Sequence, residues 1–273
     1  MEDNAGKVLV LNGTAIQADG QDAGDIPGKG AVYEVIRIID KVPLFFEDHY
    51  VRLKNSLSST GTQVHITEKG LNGQLRRTIE ENGLENCNVK VIVYNKDGIQ
   101  NCLSYISKSY YPSDEEIKKG VPTGLIRLER ANPNAKVVNR SYRELSDKRI
   151  KEGNLFEALL VNAEGRITEG SKSNVFFIKG STVYTAPGEF VLKGITRKYI
   201  IDAIRSLGFE FVEALTGVEE LGGIDGLFIS GTSIKVLPVA SIDGILYDSA
   251  INPVITAIRD GYDRIITDYI RQH

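Results

Sequence analysis

The sequence predicts an α/β protein, more closely an α+β one, built from two domains. Three observations predict it. Val-, Ile- and Tyr-rich segments with a period of two are interleaved with segments of helical period. Turn residues separate these segments. A polar stretch from Pro112 to Gly120 divides two halves of different pattern. We expect a smaller α+β domain over residues 1–118, a linker over 119–124 and a larger domain over 125–273.

Each element has a local reason. Val8 to Leu11 reads as a short strand closed by Asn12-Gly13, and a Gly-rich acidic loop runs from Gln17 to Gly30. Val32 to Ile39 is a second strand. Asp48 is expected to cap a helix with apolar positions Val51, Leu53 and Leu57. Thr67 opens another helix, in which Leu71, Leu75 and Ile79 recur every fourth residue until Gly83 closes it. Asn88 to Tyr94 alternates, with Val89, Val91 and Val93 on one face, and Cys102 to Ile106 is its hairpin partner across Lys96-Asp97-Gly98. The charge run at Asp114-Glu-Glu116 and Lys118-Lys119 reads as a solvated face. In the second half, Ser141 to Glu152 is a charged helix, and Phe156 to Val161, Asn174 to Ile178 and Thr182 to Tyr184 are strands. Thr196 to Leu207 is an amphipathic helix, Gly226 to Ser230 and Ile234 to Ala240 are strands, and Pro253 sits in the first turn of a terminal helix.

Composition narrows the function. The chain is 41% hydrophobic with a formal net charge of −3, so it has enough apolar residues for cored domains and no basic footprint for nucleic acid or an anionic membrane. Two cysteines and three scattered histidines match no metal-site spacing, and no metal is expected. The acidic start and the lack of a spanning apolar run predict a cytoplasmic protein. Gly24-Asp-Ile-Pro-Gly28-Lys29-Gly30 imitates a phosphate loop. It is one residue short, carries Gly30 where a hydroxyl would hold magnesium, and is better read as a surface loop.

The informative segment runs from Asn134 to Arg197. It holds Asn134-Ala-Lys136-Val-Val-Asn139-Arg140, Glu157-Ala-Leu-Leu-Val161, Arg166-Ile-Thr-Glu169-Gly-Ser-Lys-Ser-Asn174, and Val191-Leu-Lys-Gly194-Ile195-Thr196-Arg197. Upstream lie Val32-Tyr33-Glu34-Val35-Ile36-Arg37 and Glu47-Asp-His49-Tyr-Val-Arg52-Leu53; downstream lies Ser230-Gly231-Thr232-Ser233. In order and spacing, over roughly residues 30 to 245, these resemble the class IV (fold type IV) pyridoxal-phosphate aminotransferases. That family includes branched-chain aminotransferases, D-amino acid aminotransferases and aminodeoxychorismate lyases.

The resemblance implies a fold type IV enzyme with the cofactor in the cleft between its domains, the larger domain being the cofactor-binding one. Lys136 matches the family lysine that forms the Schiff base. A lysine suits that task because its deprotonated amine is a nucleophile and then a general base. Glu169 matches the carboxylate that keeps the pyridine nitrogen protonated, so that the ring can accept electrons. The phosphate is assigned to the Arg52 cation, to Ile195 and Thr196 at a helix start, and to Thr232. Tyr33 and Arg37, two residues either side of Val35, share a strand face and are candidate substrate contacts with Ser233. The plainer readings are a surface lysine, a solvated turn residue at Glu169, an ordinary helix start at Gly194, and Arg52 paired with Glu47 or Asp48.

Lys172 stands where small residues are usual and is the rival lysine; Lys235 also departs from the pattern. Val89 to Lys96 lacks the Arg and His of the D-amino acid branch, which favours a branched-chain or similar L-amino acid with a 2-oxo acid partner. One rival reading is aminodeoxychorismate lyase, toward which Lys136-Val-Val-Asn139-Arg140 leans. Another is a non-catalytic protein that keeps the fold. The resemblance also implies a homodimer.

Overall fold

The computed structural model describes residues 4–18, 31–130, 133–137 and 140–273. The Gly24–Gly30 loop, Val138, Asn139 and the side chain of Arg140 lie outside the described residues. The chain forms two compact units. One comprises Met1–Tyr110, Ala135–Asn139 and Asp268–His273; the other comprises Tyr111–Asn134 and Arg140–Thr267.

The first unit is built on a six-stranded sheet. Its elements are β1 (Val8–Leu11), β2 (Thr14–Gln17), β3 (Val32–Ile39), β4 (Val42–Pro43), helices α1 (Phe46–Ser59) and α2 (Glu68–Asn82), then β5 (Cys87–Lys96) and β6 (Ile99–Ile106). The strand order is β2-β1-β6-β5-β3-β4. Alternation places Ile36, Ile38, Val89, Val91 and Val93 on one face, where they pack with Leu53 and Leu57 of α1 and Leu71, Leu75 and Ile79 of α2. Each such side chain taken wholly from water contributes roughly 1.5–3 kcal/mol. The Thr67 hydroxyl accepts from Gly70 N and Gly83 ends α2 in the left-handed region, as expected. Asp97 and Gly98, at φ 53° and 79°, turn the β5–β6 hairpin.

Two expectations at α1 need correction. The helix starts before Asp48: Phe45 is its N-cap, in the left-handed region. Phe46 N donates to the Tyr269 hydroxyl from the far end of the chain. Val51, expected to be buried, is 53% exposed, because the buried stripe runs through His49, Arg52, Leu53 and Ser56.

The second unit comprises α3 (Asp114–Lys119), β7 (Val121–Arg127), α4 (Arg140–Gly153), β8 (Glu157–Val161), β9 (Arg166–Gly170), β10 (Asn174–Lys179), β11 (Thr182–Thr185), α5 (Ile195–Ser206), β12 (Glu210–Glu213), β13 (Thr216–Gly217), β14 (Gly226–Gly231), β15 (Lys235–Ile242), β16 (Ile245–Leu246) and α6 (Pro253–Gln272) as far as Thr267. Among the described residues its sheet has ten strands, in the order β12-β11-β10-β14-β15-β7-β8-β9-β13, with β16 on β15. Phe176 and Phe228 face each other across β10 and β14 and stack with ring centroids 4.8 Å apart. The polar stretch expected to be plain linker contains α3. Its N-terminus carries a capping box between Ser113 and Glu116, and Ile117 packs on the core. Most of residues 119–124 belongs to β7, which pairs in parallel with β15 and β8.

Candidate active site

In the first unit, β3 alternates between buried and half-buried residues. Val32, Glu34, Ile36 and Ile38 point one way; Tyr33, Val35 and Arg37 point the other. Lys136 lies beside the start of this strand. Val137 bridges Val32, Tyr33 N donates to Lys136 O at 3.1 Å, and Lys136 N donates to Ser56 Oγ at 3.4 Å. The Lys136 amine stands 5.0 Å from the centroid of the Tyr33 ring. This is a half-buried lysine fixed through its backbone, with its ammonium over an aromatic face.

The same ring carries a second amine, Lys90 Nζ, at 5.3 Å. Lys90 was missed in the sequence because its place depends on register: it lies opposite Val35 on β3 and Tyr105 on β6. Tyr33, Arg37 and Lys90 therefore share one face of the sheet, two cations and a phenol suited to carboxylates.

On the opposite face, Glu34 is fully buried. Its Oε1 accepts from Arg52 Nε at 2.8 Å, and its Oε2 accepts from Arg52 Nη2 at 2.6 Å. His49 Nδ1 lies 2.7 Å from Oε2. Burial pushes the Glu34 carboxyl up, but the charge and hydrogen bonds of Arg52, with those of His49, pull it down further, to about 2. Burial lowers His49 against the pull of Glu34. With Glu34 ionised and His49 neutral, Nδ1 carries the proton and donates. Arg52 is thus buried and paired with Glu34. Neither Glu34 nor His49 was singled out from sequence.

In the second unit, Glu169 sits in β9 rather than in a turn and is 3% exposed. Its Oε2 accepts from Leu192 N at 3.0 Å and from Asn174 Nδ2 at 3.4 Å. Arg130 Nε is 3.5 Å from its Oε1, and the Arg130 guanidinium lies 5.0 Å from the Tyr142 ring centroid. Asn174 also donates to Leu192 O at 3.0 Å, which binds the segment leading into α5 to the strand beside Glu169. Gly194 is the N-cap of α5, and a Cβ there would collide with Asn174 Oδ1. The helix start has no side-chain cap, and Ile195, Thr196 and Arg197 are buried. Such an N-terminus is polarised to receive an anion. Thr232 and Ser233 occupy the turn between β14 and β15, where Gly231 pairs with Lys235.

The departures from pattern resolve as surface contacts. Lys172 is 47% exposed, with Nζ 2.9 Å from Asp147 Oδ1. Lys235 pairs with Asp263 at 2.7 Å. Glu157, on β8, accepts from Ser171 Oγ at 2.8 Å and from Lys172 N at 2.6 Å, tying down the loop between Glu169 and Asn174. No helix of the described residues is long and apolar enough to cross a membrane.

Residues 31–242 match the model of the amino-transferase class IV family. The D-alanine aminotransferase of Bacillus licheniformis is 28% identical over 239 residues, covering 83% of each chain. Among solved structures, the branched-chain amino acid aminotransferase of Escherichia coli superposes with a TM-score of 0.86 at 23% identity, covering 97% of this chain and 96% of that one. The T.th. branched-chain amino acid aminotransferase with pyridoxamine 5'-phosphate gives 0.85 at 22% identity, with the same coverage. At these identities the superpositions speak for the fold.

Proposed function

The chain belongs to the class IV aminotransferase family, and from that membership we propose that Lys136 is its catalytic lysine, with branched-chain or similar L-amino acids and 2-oxo acids as its substrates. It is a pyridoxal-phosphate-dependent transaminase. The observation that carries the assignment is the family match over 31–242, which spans Lys136 and each of the other candidate residues.

The donor set suits the cofactor group by group. Arg52, the N–H groups of Ile195 and Thr196, and Thr232 would hold the phosphate. Glu169, buried and acceptor-only when ionised, would face the ring nitrogen and keep a proton there. Arg130 lies 3.5 Å from the same carboxylate. When bound, the cofactor supplies a cationic ring that accepts the electron pair left at the amino acid's α-carbon. Lys136 would take the proton from that carbon of the donor in the first half-reaction and deliver one to the corresponding carbon of the acceptor in the second, and its placement over Tyr33, with its backbone tied to β3 and α1, limits where the amine can travel. Tyr33, Arg37 and Ser233 are the proposed substrate contacts, and Lys90 adds a second cation to the face of Tyr33 and Arg37.

A D-amino acid donor is the second reading, supported by the name of the Bacillus licheniformis relative. Against it, β5 carries lysines and neither Arg nor His. A cytoplasmic homodimer completes the proposal; sedimentation of the loaded protein tests the dimer. The substrate test is a panel of L- and D-amino acids with 2-oxoglutarate. Glutamate formed from L-amino acids without pyruvate supports the main reading. Turnover confined to D-amino acids, or pyruvate released from aminodeoxychorismate, overturns it. Lys136→Ala should lower turnover by about 10²–10⁴-fold from lost proton transfer alone, whereas Lys172→Ala should leave it unchanged.

A further inference from the structure

The mechanism uses Arg52 and gives no task to the carboxylate that grips it. Glu34 is fully buried on the helix-facing side of β3. Arg52 lies one helical turn beyond His49 on α1, so both side chains reach the same carboxylate. The Arg52 contacts are bidentate, through Nε at 2.8 Å and Nη2 at 2.6 Å. Two parallel hydrogen bonds fix the plane of a guanidinium, where a single bond would let it swing. They also turn its Nη1 side away from Glu34. His49 Nδ1, at 2.7 Å, tethers Oε2 from the other side. Arginine, glutamate and a neutral histidine sum to zero charge. The cluster can therefore remain buried whether or not an anion is nearby, and the guanidinium keeps its direction without one.

We propose that Glu34 is the positioning residue of the phosphate anchor: it holds the Arg52 guanidinium in its binding direction before the phosphorylated vitamer arrives, with His49 as a second tether. This rests on reading Arg52 as the phosphate anchor. The contribution is confined to the phosphate, because Glu34 acts only through Arg52. A merely structural carboxylate would weaken every ligand alike. A carboxylate that merely opposed the anion would, once removed, tighten the phosphorylated ligand.

The test compares pyridoxal phosphate with pyridoxal, which lacks the phosphate, in absorbance titrations of the apoprotein. Glu34→Gln keeps the volume and one acceptor but loses the charge and the bidentate grip. It should raise the Kd for pyridoxal phosphate by about tenfold or more and leave that for pyridoxal within about twofold. A parallel change in both, no change, or tighter binding of pyridoxal phosphate overturns the proposal. Arg52→Ala is the control. If it keeps the wild-type preference for the phosphorylated vitamer, the anchor reading itself fails. If it loses the preference while Glu34→Gln keeps it, only the positioning role fails. Should Glu34→Gln not fold, His49→Phe, which removes one tether, is titrated in the same way: a smaller fall in preference supports the proposal, and an unchanged preference overturns it.

Discussion

Glu34 and Glu157 are both buried glutamates on strands, one in each unit, and their surroundings drive them in opposite directions. Glu34 meets a guanidinium and is held ionised, with its carboxyl at about 2. Glu157 meets a hydroxyl and a backbone N–H, and burial pushes its carboxyl up against those neutral donors. The contrast shows that depth does not set the charge of a buried acid; a cation within hydrogen-bonding reach does. It also separates two kinds of work. Glu34 can aim a cation, while Glu157 ties down a loop, from Ser171 to Lys172, beside Glu169. Glu169 has Leu192 N and Asn174 at one oxygen and Arg130 at 3.5 Å from the other.

The widest gap between the two glutamates should appear when the cation is removed from one and the charge from the other. Arg52→Leu strands the Glu34 charge in the core and should cost the apoprotein about 3–5 kcal/mol in urea unfolding. Glu157→Gln retains an acceptor for Ser171 and Lys172 and should cost about 1 kcal/mol or less at neutral pH. Equal losses would erase the distinction.

A smaller effect separates the two by pH. His49 is lowered from 6.5 in the fold, so the unfolded chain binds its proton more readily. The stability tied to neutral His49 is complete above 6.5 and is lost as the pH falls below it. The slope for one proton is at most about 1.4 kcal/mol per pH unit. Glu34, lowered from 4.5, keeps its contribution down to 4.5 and loses it between there and about 2. Glu157, raised from 4.5, has the opposite sign, and the folded state gains as its carboxyl protonates on acidification. Unfolding curves at several pH values should show the loss below 6.5 removed by His49→Phe. A slope that survives the substitution would place the titrating group elsewhere.

What the sequence made legible was local. Thr67 and Gly83 bound α2 because cap and stop are written within one turn of the helix. β3 was legible from its alternation, and Tyr33 and Arg37 fall on one face because that rule needs no partner. What was not legible depended on distant residues. The start of α1 is set by Tyr269, 223 residues from Phe46. β7 contains Pro122 and Gly124, which argue against a strand until β15 and β8 are seen flanking it. Glu169 looked like a turn residue because Thr-Glu-Gly is turn-like, whereas pairing with β8 makes β9 a strand. Lys90 joins Tyr33 only through the β3–β5 register, and the Glu34 cluster requires a strand and a helix to close on each other.

The proposed chemistry turns on which amine reaches the cofactor. Borohydride reduction of the loaded protein, followed by peptide mapping, reads that directly. The expected result is a pyridoxyl label on Lys136, the half-buried lysine over Tyr33. A label on Lys172, which lies on the surface beside Asp147, or no label after saturation with the vitamer, would contradict it.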